Sequence, residues 1–418
     1  MEKKKMSLAT YIFIGLALGI LIGFLLKKMP EGTFRDTVLV GGIIKFLGNG
    51  FINLIKMMVV PLVFCSLSYA VCEMSDVKKL GRISAKTISF YIVTTAVAVI
   101  IAVILGLTLR PGAGLDMSQL LQGEYTIPES KPVVDTFLDM LPTNPIQAMS
   151  EGNLLQIIVF ALFFGVGIGL IGERGKILVD ILGALNDCVL KVVTIVMYIA
   201  PIGVCALIAN TVYSVGVESL VSVAKMIGVV AIGMLIHSFI IYSGLLKTLT
   251  GLPVKNFLKQ YATVATVTFT TSSSNAALPV SMETMEKLGV DKSIYSFTLP
   301  LGATINMDGT AIMQGVAAVF IAQVYGIDMS IHMILSVILT AVLASIGTAG
   351  APGVGMITLA MVLESAGLPL DGIALIIGFD RILDMMRTTV NVMGDCVCSV
   401  VVANSEKEID REKYIACK

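Results

Sequence analysis

The sequence predicts an all-α integral membrane protein with eight membrane-spanning helices and two re-entrant helical hairpins set as an inverted repeat. Three observations predict it. Of 418 residues, 56% are hydrophobic and 14% charged, and mean hydropathy is +0.91, too apolar for a water-soluble fold. The apolar residues fall in runs of about 20 or more, the length a helix needs to cross a hydrocarbon core about 30 Å thick. Beyond residue 256 the runs shorten, and polar or glycine-rich clusters interrupt them.

The first apolar run, Tyr11 to Leu26, follows Lys3, Lys4 and Lys5 and is closed by Lys27 and Lys28, with no small-residue cleavage site after it. That pattern describes a retained first span with the N-terminus inside. Six spans follow from the apolar runs, at about 8–27, 38–70, 84–109, 132–171, 176–212 and 218–246, several long enough to require tilt or a break. "RPGAG" closes the third and "PESKP" opens the fourth, both chain-breaking signals. Lys78, Lys79, Arg82 and Lys86 cluster in one connection, Arg174 and Lys176 in another, and Lys247, Lys255 and Lys259 in a third. The segment with Asp116, Glu124, Glu129 and Asp135 carries a single internal Lys131. Cytoplasmic lysine and arginine with the acidic segment outside fit alternating spans, both termini cytoplasmic and a multi-pass protein of the inner (plasma) membrane bilayer.

Basic and acidic residues number 29 each, which points away from nucleic acid as a partner. The seven cysteines (65, 72, 188, 205, 396, 398 and 417) read as buried free thiols. Cys396 and Cys398 point to different sides of one helix and do not chelate a metal together.

Two interruptions after residue 256 are alike. "TFTTSSSNAALP" (268–279) and "ASIGTAGAPGVG" (344–355) are small, polar and proline-bearing, with apolar arms of about 10 to 15 residues, too short for full spans. A long apolar element interrupted by polar residues follows each: one contains "NMDGT" (306–310), the other "RILDMMRTTVNVMGD" (381–395). The charge map puts the first hairpin's ends inside and the second's outside, so the two units form an inverted pair whose tips converge near the midplane. Irregular backbone survives at that depth only where protein or water lines it. "NMDGT" is therefore expected to unwind its helix and offer oxygens to a cation, rather than to be a tolerated glycine kink.

Asp380, Asp384, Arg387, Thr388, Asn391 and Asp395 share one helical face. With Arg381 they put five ionisable groups into sixteen residues, each costing about 2.5 to 3.5 kcal/mol at the centre of a lipid-facing helix. They must face a protein interior. Asp384 and Arg387 could simply neutralise each other. The other reading uses Arg387 as a bidentate carboxylate partner and Asp384 as partner for an ammonium, with Thr388 and Asn391 supplying neutral contacts, as an acidic amino acid needs. Asp308, Asp380, Asp384 and Asp395 exceed Arg381 and Arg387 in charge, so a net-anionic ligand must enter with monovalent cations held by oxygens.

These residues make the chain resemble the sodium-coupled glutamate and aspartate transporters, the dicarboxylate/amino acid:cation symporter family. The resemblance covers essentially the whole chain and is most specific in "TSSSNAALP", "NMDGT", "SIGTAGAPG" and "DMMRTTVNVMGD". It implies substrate contacts at Ser273, Ser274 and Thr310, a second tip closing over the substrate at Ala351, Pro352 and Gly355, and the remaining substrate contacts at Asp384, Arg387, Thr388 and Asn391. It also implies three sodium regions: Gly302, Asn306, Asn391 and Asp395; Thr304, Met307, Ser345, Ile346 and Thr348; and Tyr91, Thr94 and Thr95 with Asn306 and Asp308. The implied assembly is a homotrimer. A static scaffold (1–74 and 112–212) would surround a moving transport domain (75–111 and 213–418), the latter with hairpins at about 256–288 and 329–367 and the last two spans at about 292–325 and 370–404.

Some members carry an arginine in the first tip, where this chain has Ser272; Arg381 is expected to supply that charge. The resulting expectation is secondary active symport of L-aspartate and/or L-glutamate with several Na⁺ by an elevator-type movement, with no enzymatic activity. A proton-coupled glutamate/C4-dicarboxylate symporter is the alternative, although His237 and His332, the only histidines, read as packing or interface residues. A passive channel would ring its pore with like groups, and flux saturation and counterflow separate it from a transporter. An intramembrane aspartyl hydrolase needs two aspartates sharing one proton, which the neighbouring Arg387 and the lack of a second matched aspartate motif disfavour.

Overall fold

The computed structural model describes residues 8–75, 81–115, 138, 141–214, 218–346 and 354–417. Thr348, Ala351 and Pro352 of the second tip, and the acidic segment from Asp116 to Asp135, lie outside the described residues.

The described residues are helical, joined by short turns, with one isolated antiparallel bridge between Val290 and Ile409. Helix α1 (Leu8–Lys28) leads through a π-helical stretch, Phe34–Ile44, into α2 (Lys45–Ser75), and α3 (Gly81–Leu109) follows. Then come α4 (Pro145–Glu151), α5 (Leu154–Leu170), α6 (Lys176–Ser214) and α7 (Glu218–Ile236). A second π-helical stretch, His237–Tyr242, joins α7 to α8 (Ser243–Thr250). Two helices joined by a tight turn follow, α9 (Val254–Thr271) and α10 (Ser274–Lys287), then α11 (Lys292–Ile305) and α12 (Asp308–Val324). Helices α13 (Ile331–Ser345) and α14 (Val354–Ser365) precede the short α15 (Ile373–Ile376), the long α16 (Asp380–Glu406) and α17 (Arg411–Ala416).

Among the described residues, seven helical runs are long and apolar enough to cross a membrane. Of the run expected over 132–171, residues 132–137 and 139–140 lie outside the described residues, and the described part is not among the seven. Asn144 caps α4 with Pro145 in its first turn, Gly152 ends it in the left-handed conformation (φ 72°), and Asn153 caps α5. These are strong stop and start signals, and they leave α5 with 17 residues.

Helices α1 and α2 pack on α6, and α2 also packs on α5. The α1–α6 approach is close because small residues recur every four positions: a Cβ at Gly15, Gly19 or Gly23 would strike Pro201, Cys205 or Val212. A second group forms around α12, which packs on α3, α7 and α16, while α16 also receives α9, α10 and α11. The groups meet where α14 lies on α2 and α15 on α6. The run through α11 and α12 is buried along its whole apolar window, whereas 28% of the α1 window is buried. The polar residues therefore sit in the element best shielded from lipid.

"NMDGT" breaks its helix less than expected. Only Asn306, extended at φ −88° and ψ 100°, and Met307 leave the helical path; Asp308 to Thr310 already belong to α12. The last element is not broken: α16 runs through all its charged residues as one helix of 27 residues. Ion pairs tie Asp380, Asp384 and Arg387 to one another along its face, and no proline interrupts it. None of the seven cysteines is in a disulfide; four are buried, Cys205 and Cys417 are half-buried, and Cys188 is exposed.

Candidate substrate and cation site

Arg387 sits on α16 with 2% of its surface exposed. Its Nη1 lies 2.9 Å from Asp380 Oδ1, and its Nη2 lies 2.8 Å from Asp384 Oδ1. Its Nε donates to the same Asp384 oxygen at 3.0 Å, and Nη1 also reaches Met313 Sδ at 3.4 Å. Nη2 is within ion-pair range of Asp384 but out of line for a hydrogen bond, so this nitrogen of the buried guanidinium has no hydrogen-bond partner among the described residues. Asp380 and Asp384 are one turn apart, which lets a single guanidinium span both. Arg381 lies 3.8 Å from Asp384 Oδ2 and donates to the Thr270 carbonyl at 3.4 Å, carrying its charge to the turn at Ser272.

That turn holds Ser272 at φ 52°, buried, with its hydroxyl lacking a hydrogen-bond partner among the described residues. Ser273 caps α10 by accepting from the Ala276 N–H, and Ser274 is buried. Gly355 opens against the other side of Arg387, where a Cβ would collide with the guanidinium. The structure thus brings Gly355 to Arg387, while Ala351 lies outside the described residues.

Asn391, one turn along α16, ties the chain break to this helix. Its Oδ1 accepts from the Gly309 N–H at 2.7 Å, and its carbonyl accepts from Asn306 Nδ2 at 2.7 Å. Its Nδ2 faces Met307 Sδ at 3.3 Å and Thr310 Oγ1 at 3.5 Å. Thr388 is buried on the same helix. Asn306 Nδ2 also donates to Asp395 Oδ1 at 2.8 Å, while Asn306 Oδ1 is buried with no hydrogen-bond partner among the described residues. Gly302 lies against this pair, and a Cβ there would meet Asp395 and the Tyr91 hydroxyl.

Asp308, fully buried at the start of α12, accepts from the Thr95 hydroxyl at 2.5 Å on Oδ1 and from the Tyr242 hydroxyl at 2.6 Å on Oδ2. His237 Nε2 is 2.9 Å from the same Oδ2. His237 is therefore not merely a packing residue. Tyr91 donates to the Thr298 carbonyl at 3.0 Å and Thr94 to the Tyr91 carbonyl at 3.2 Å. Thr304 and Ser345 donate to carbonyls of their own helices, and Ile346 ends α13. Their recorded bonds do not tie them to Asp308 or Asp395 among the described residues; Thr348 lies outside them.

Sequence reasoning missed three of these groups. Asp380 was counted as charge but not as a partner of Arg387, although its i, i+7 spacing placed it on the right face. His237 and Tyr242 had no usable signal, because five-residue spacing separates side chains by about 140° on an α-helix.

Charge falls unevenly over the site. Arg381 and Arg387 balance Asp380 and Asp384, whereas Asp308 and Asp395 have no arginine or lysine ion pair among the described residues. No three His, Cys, Asp or Glu side chains gather there as a metal-holding group, again among the described residues. A cation placed there would draw on amide, hydroxyl and carbonyl oxygens beside single carboxylates, the donor set of a hard ion.

The pattern of the Sodium:dicarboxylate symporter family matches residues 8–405. Over 426 residues the chain is 39% identical to the proton/glutamate-aspartate symporter of Escherichia coli (strain K12), covering 100% of this chain and 97% of that protein. It is 37% identical over 417 residues to the proton/sodium-glutamate symport protein of Bacillus caldotenax, covering 98% and 97%. It is 33% identical over 415 residues to the C4-dicarboxylate transport protein of Bacillus subtilis (strain 168), covering 98% and 96%. Buried carboxylates gathered around an arginine on the most shielded helices, in a chain matched from end to end by membrane transporters, lead to one assignment: the chain belongs to the sodium:dicarboxylate symporter family.

Proposed function

We propose that the protein is a secondary active symporter that takes up L-aspartate and/or L-glutamate together with several Na⁺ ions. The observation that carries this reading is the division of the buried site into a charge-balanced end around Arg387 and a charge-excess end at Asp308 and Asp395. In this reading the substrate side-chain carboxylate engages the free edge of the Arg387 guanidinium, displacing part of its pairing with Asp380 and Asp384. Asp384, released from Arg387, accepts the substrate ammonium. Ser273, Ser274, Thr310, Thr388, Asn391, Ala351 and Gly355 complete the enclosure. Na⁺ ions offset Asp308 and Asp395, using Asn306, Asn391, Gly302, Tyr91, Thr94 and Thr95, with a further site at Thr304, Met307, Ser345, Ile346 and Thr348. Substrate and cations then stabilise one another's binding electrostatically, which is the physical content of coupling.

The architecture we assign to this activity has eight spans and two re-entrant hairpins, α9 with α10 and α13 with α14. A trimerising scaffold (1–74 and 112–212) would hold a transport domain (75–111 and 213–418) that crosses an inner (plasma) membrane as an elevator, with both termini cytoplasmic. The close-packed α1–α6 pair is compatible with a rigid scaffold.

The names of the relatives also offer proton coupling and C4-dicarboxylates. One experiment separates these readings: uptake into liposomes with Na⁺, H⁺ and K⁺ gradients imposed one at a time, for L-aspartate, L-glutamate and a C4-dicarboxylate. Accumulation of an acidic amino acid driven by Na⁺ is expected. Accumulation driven by H⁺ and indifferent to Na⁺ overturns the cation assignment, and preference for the C4-dicarboxylate overturns the substrate assignment.

A further inference from the structure

The segment His237–Tyr242 is π-helical between two α-helices, α7 and α8. In an α-helix residues five apart point about 140° away from each other. A π-helix closes its hydrogen bonds from i to i+5, which stacks such residues on one face. His237 and Tyr242 are five apart; their rings lie 4.5 Å apart between centroids at 70°. Both reach the same atom, Asp308 Oδ2. A regular helix over these six residues would deliver one of them and turn the other away.

The consequence is a division of labour between the two oxygens of Asp308. A carboxylate has about four lone-pair directions. Tyr242 and His237 take both on Oδ2, and Thr95 takes one on Oδ1. Toward an ionised carboxylate, which only accepts, His237 is the donor through Nε2, and its Nδ1 has no hydrogen-bond partner among the described residues. The lone pair left on Asp308 is on Oδ1, beside the one Thr95 uses, and two residues earlier in the chain Asn306 Oδ1 has no hydrogen-bond partner among the described residues.

We propose that His237 and Tyr242 are positioning residues of the cation site: the π-helical insertion commits Asp308 Oδ2 to the protein and reserves Oδ1 for the transported cation. The cation is then held through one oxygen of Asp308 at a fixed orientation. This rests on the reading above that Asp308 serves a cation. Neither ring needs to touch the ion; each acts through the carboxylate, as outer hydrogen-bond partners of metal-binding groups do.

The test is Na⁺-dependent uptake of L-aspartate and L-glutamate in liposomes by the full chain, for His237→Leu, His237→Gln, Tyr242→Phe and Asp308→Asn. Leucine removes the donor; glutamine keeps an N–H able to reach Oδ2. His237→Leu is expected to raise the Na⁺ concentration for half-maximal uptake about tenfold, with a much smaller fall in the rate at saturating Na⁺. His237→Gln should recover most of that loss, and Tyr242→Phe should shift the same parameter in the same direction. If Asp308→Asn moves the Na⁺ dependence while His237→Leu and Tyr242→Phe do not, the positioning role is overturned and the cation reading stands. If Asp308→Asn leaves the Na⁺ dependence unmoved, the cation reading fails and this proposal fails with it. Should His237→Leu not fold, Tyr242→Phe alone decides: an unmoved Na⁺ dependence overturns the proposal.

Discussion

Asp384 and Asp395 lie about three turns apart on α16, both buried, yet their surroundings differ in kind. Asp384 is flanked by Arg387 and Arg381, so its charge is met within the protein. Asp395 is met by the side-chain amide of Asn306 and by no lysine or arginine among the described residues. A buried ion pair is costly to break from one side; an unpaired buried carboxylate is costly as it stands. In the proposed reading the first end, balanced as it stands, receives the substrate carboxylate on Arg387 and so gains the net negative charge of the ligand. In the same reading the second end takes the positive charge that offsets it. The comparison teaches that one helix face can hold a charge-balanced cluster and an unbalanced carboxylate, separated along its length, which is what the proposed joint binding of an anion and cations requires.

The largest expected break in that comparison is Arg387→Cys, or Arg387→Thr. Removing the guanidinium leaves Asp380 without its ion pair and Asp384 with Arg381 alone at 3.8 Å, a loss of about 3 to 5 kcal/mol by the usual cost of breaking a buried pair. Uptake of acidic amino acids should fall to background, and neutral amino acids should gain access. Unchanged aspartate and glutamate affinity in either variant would refute the role of Arg387.

Asp395→Asn is next and should act at the other end alone. The exchange keeps shape and a hydrogen-bonding oxygen but removes one excess charge. Without cations the variant should be at least as stable as the parent, because an uncompensated buried charge has gone. In the parent, a cation at 100 times its dissociation constant adds about 2.7 kcal/mol of stability, so the melting temperature should climb with Na⁺. That climb should shrink in Asp395→Asn, and the Na⁺ dependence of uptake should shift. Thermal unfolding in Na⁺ and in a large organic cation at equal ionic strength measures both; an identical Na⁺ response in parent and variant removes Asp395 from the cation site.

Gly355→Ala sharpens the comparison from the anion side. The added methyl meets the Arg387 guanidinium, the movable end of a long side chain, so the chain folds at an overpacking cost of about 1 to 3 kcal/mol. Apparent substrate affinity should fall about tenfold, which corresponds to about 1.4 kcal/mol. The Na⁺-induced rise in melting temperature, measured without substrate, should stay. Loss of that rise would show that the two ends are not separable.

Much of this was legible before any coordinates, because burial in lipid leaves so few uses for a charge. Five ionisable groups on one face of an apolar helix could only point into protein, and α16 places them there. Helix starts and stops were written at Asn144, Pro145 and Gly152, but the apolar run on both sides of them hid the break. The break at Asn306 and Met307 was visible as polar residues at depth, but its extent was not. Two residues suffice because Asn391 satisfies the Gly309 N–H and the Asn306 amide, partners supplied by a helix some 80 positions away. His237 stayed hidden for a different reason: its role depends on a π-helical insertion, and apolar periodicity carries no mark of one.

The smallest effect belongs at neither end. Asp291, exposed between α10 and α11, caps α11 by accepting from the Ser293 N–H at 2.8 Å and from the Ser293 hydroxyl at 2.6 Å. The Ser293 hydroxyl first, and then its N–H, hold the Asp291 carboxyl below the ordinary carboxylate value of 3.8. A carboxylate depressed in the folded state stabilises fully above its unfolded pKa and loses that contribution as pH falls through the folded one. The cap should therefore be intact at neutral pH and fade only below about pH 4. Asp291→Ala should lower the melting temperature slightly at pH 7 and by progressively less as the medium becomes strongly acidic, while Asp291→Asn, which still accepts at a helix start, should retain most of the cap. Neither variant should move substrate affinity or Na⁺ dependence. A shift in either would mean that the foot of the α9–α10 pair is coupled to the buried site, and the separation drawn along α16 would have to include it.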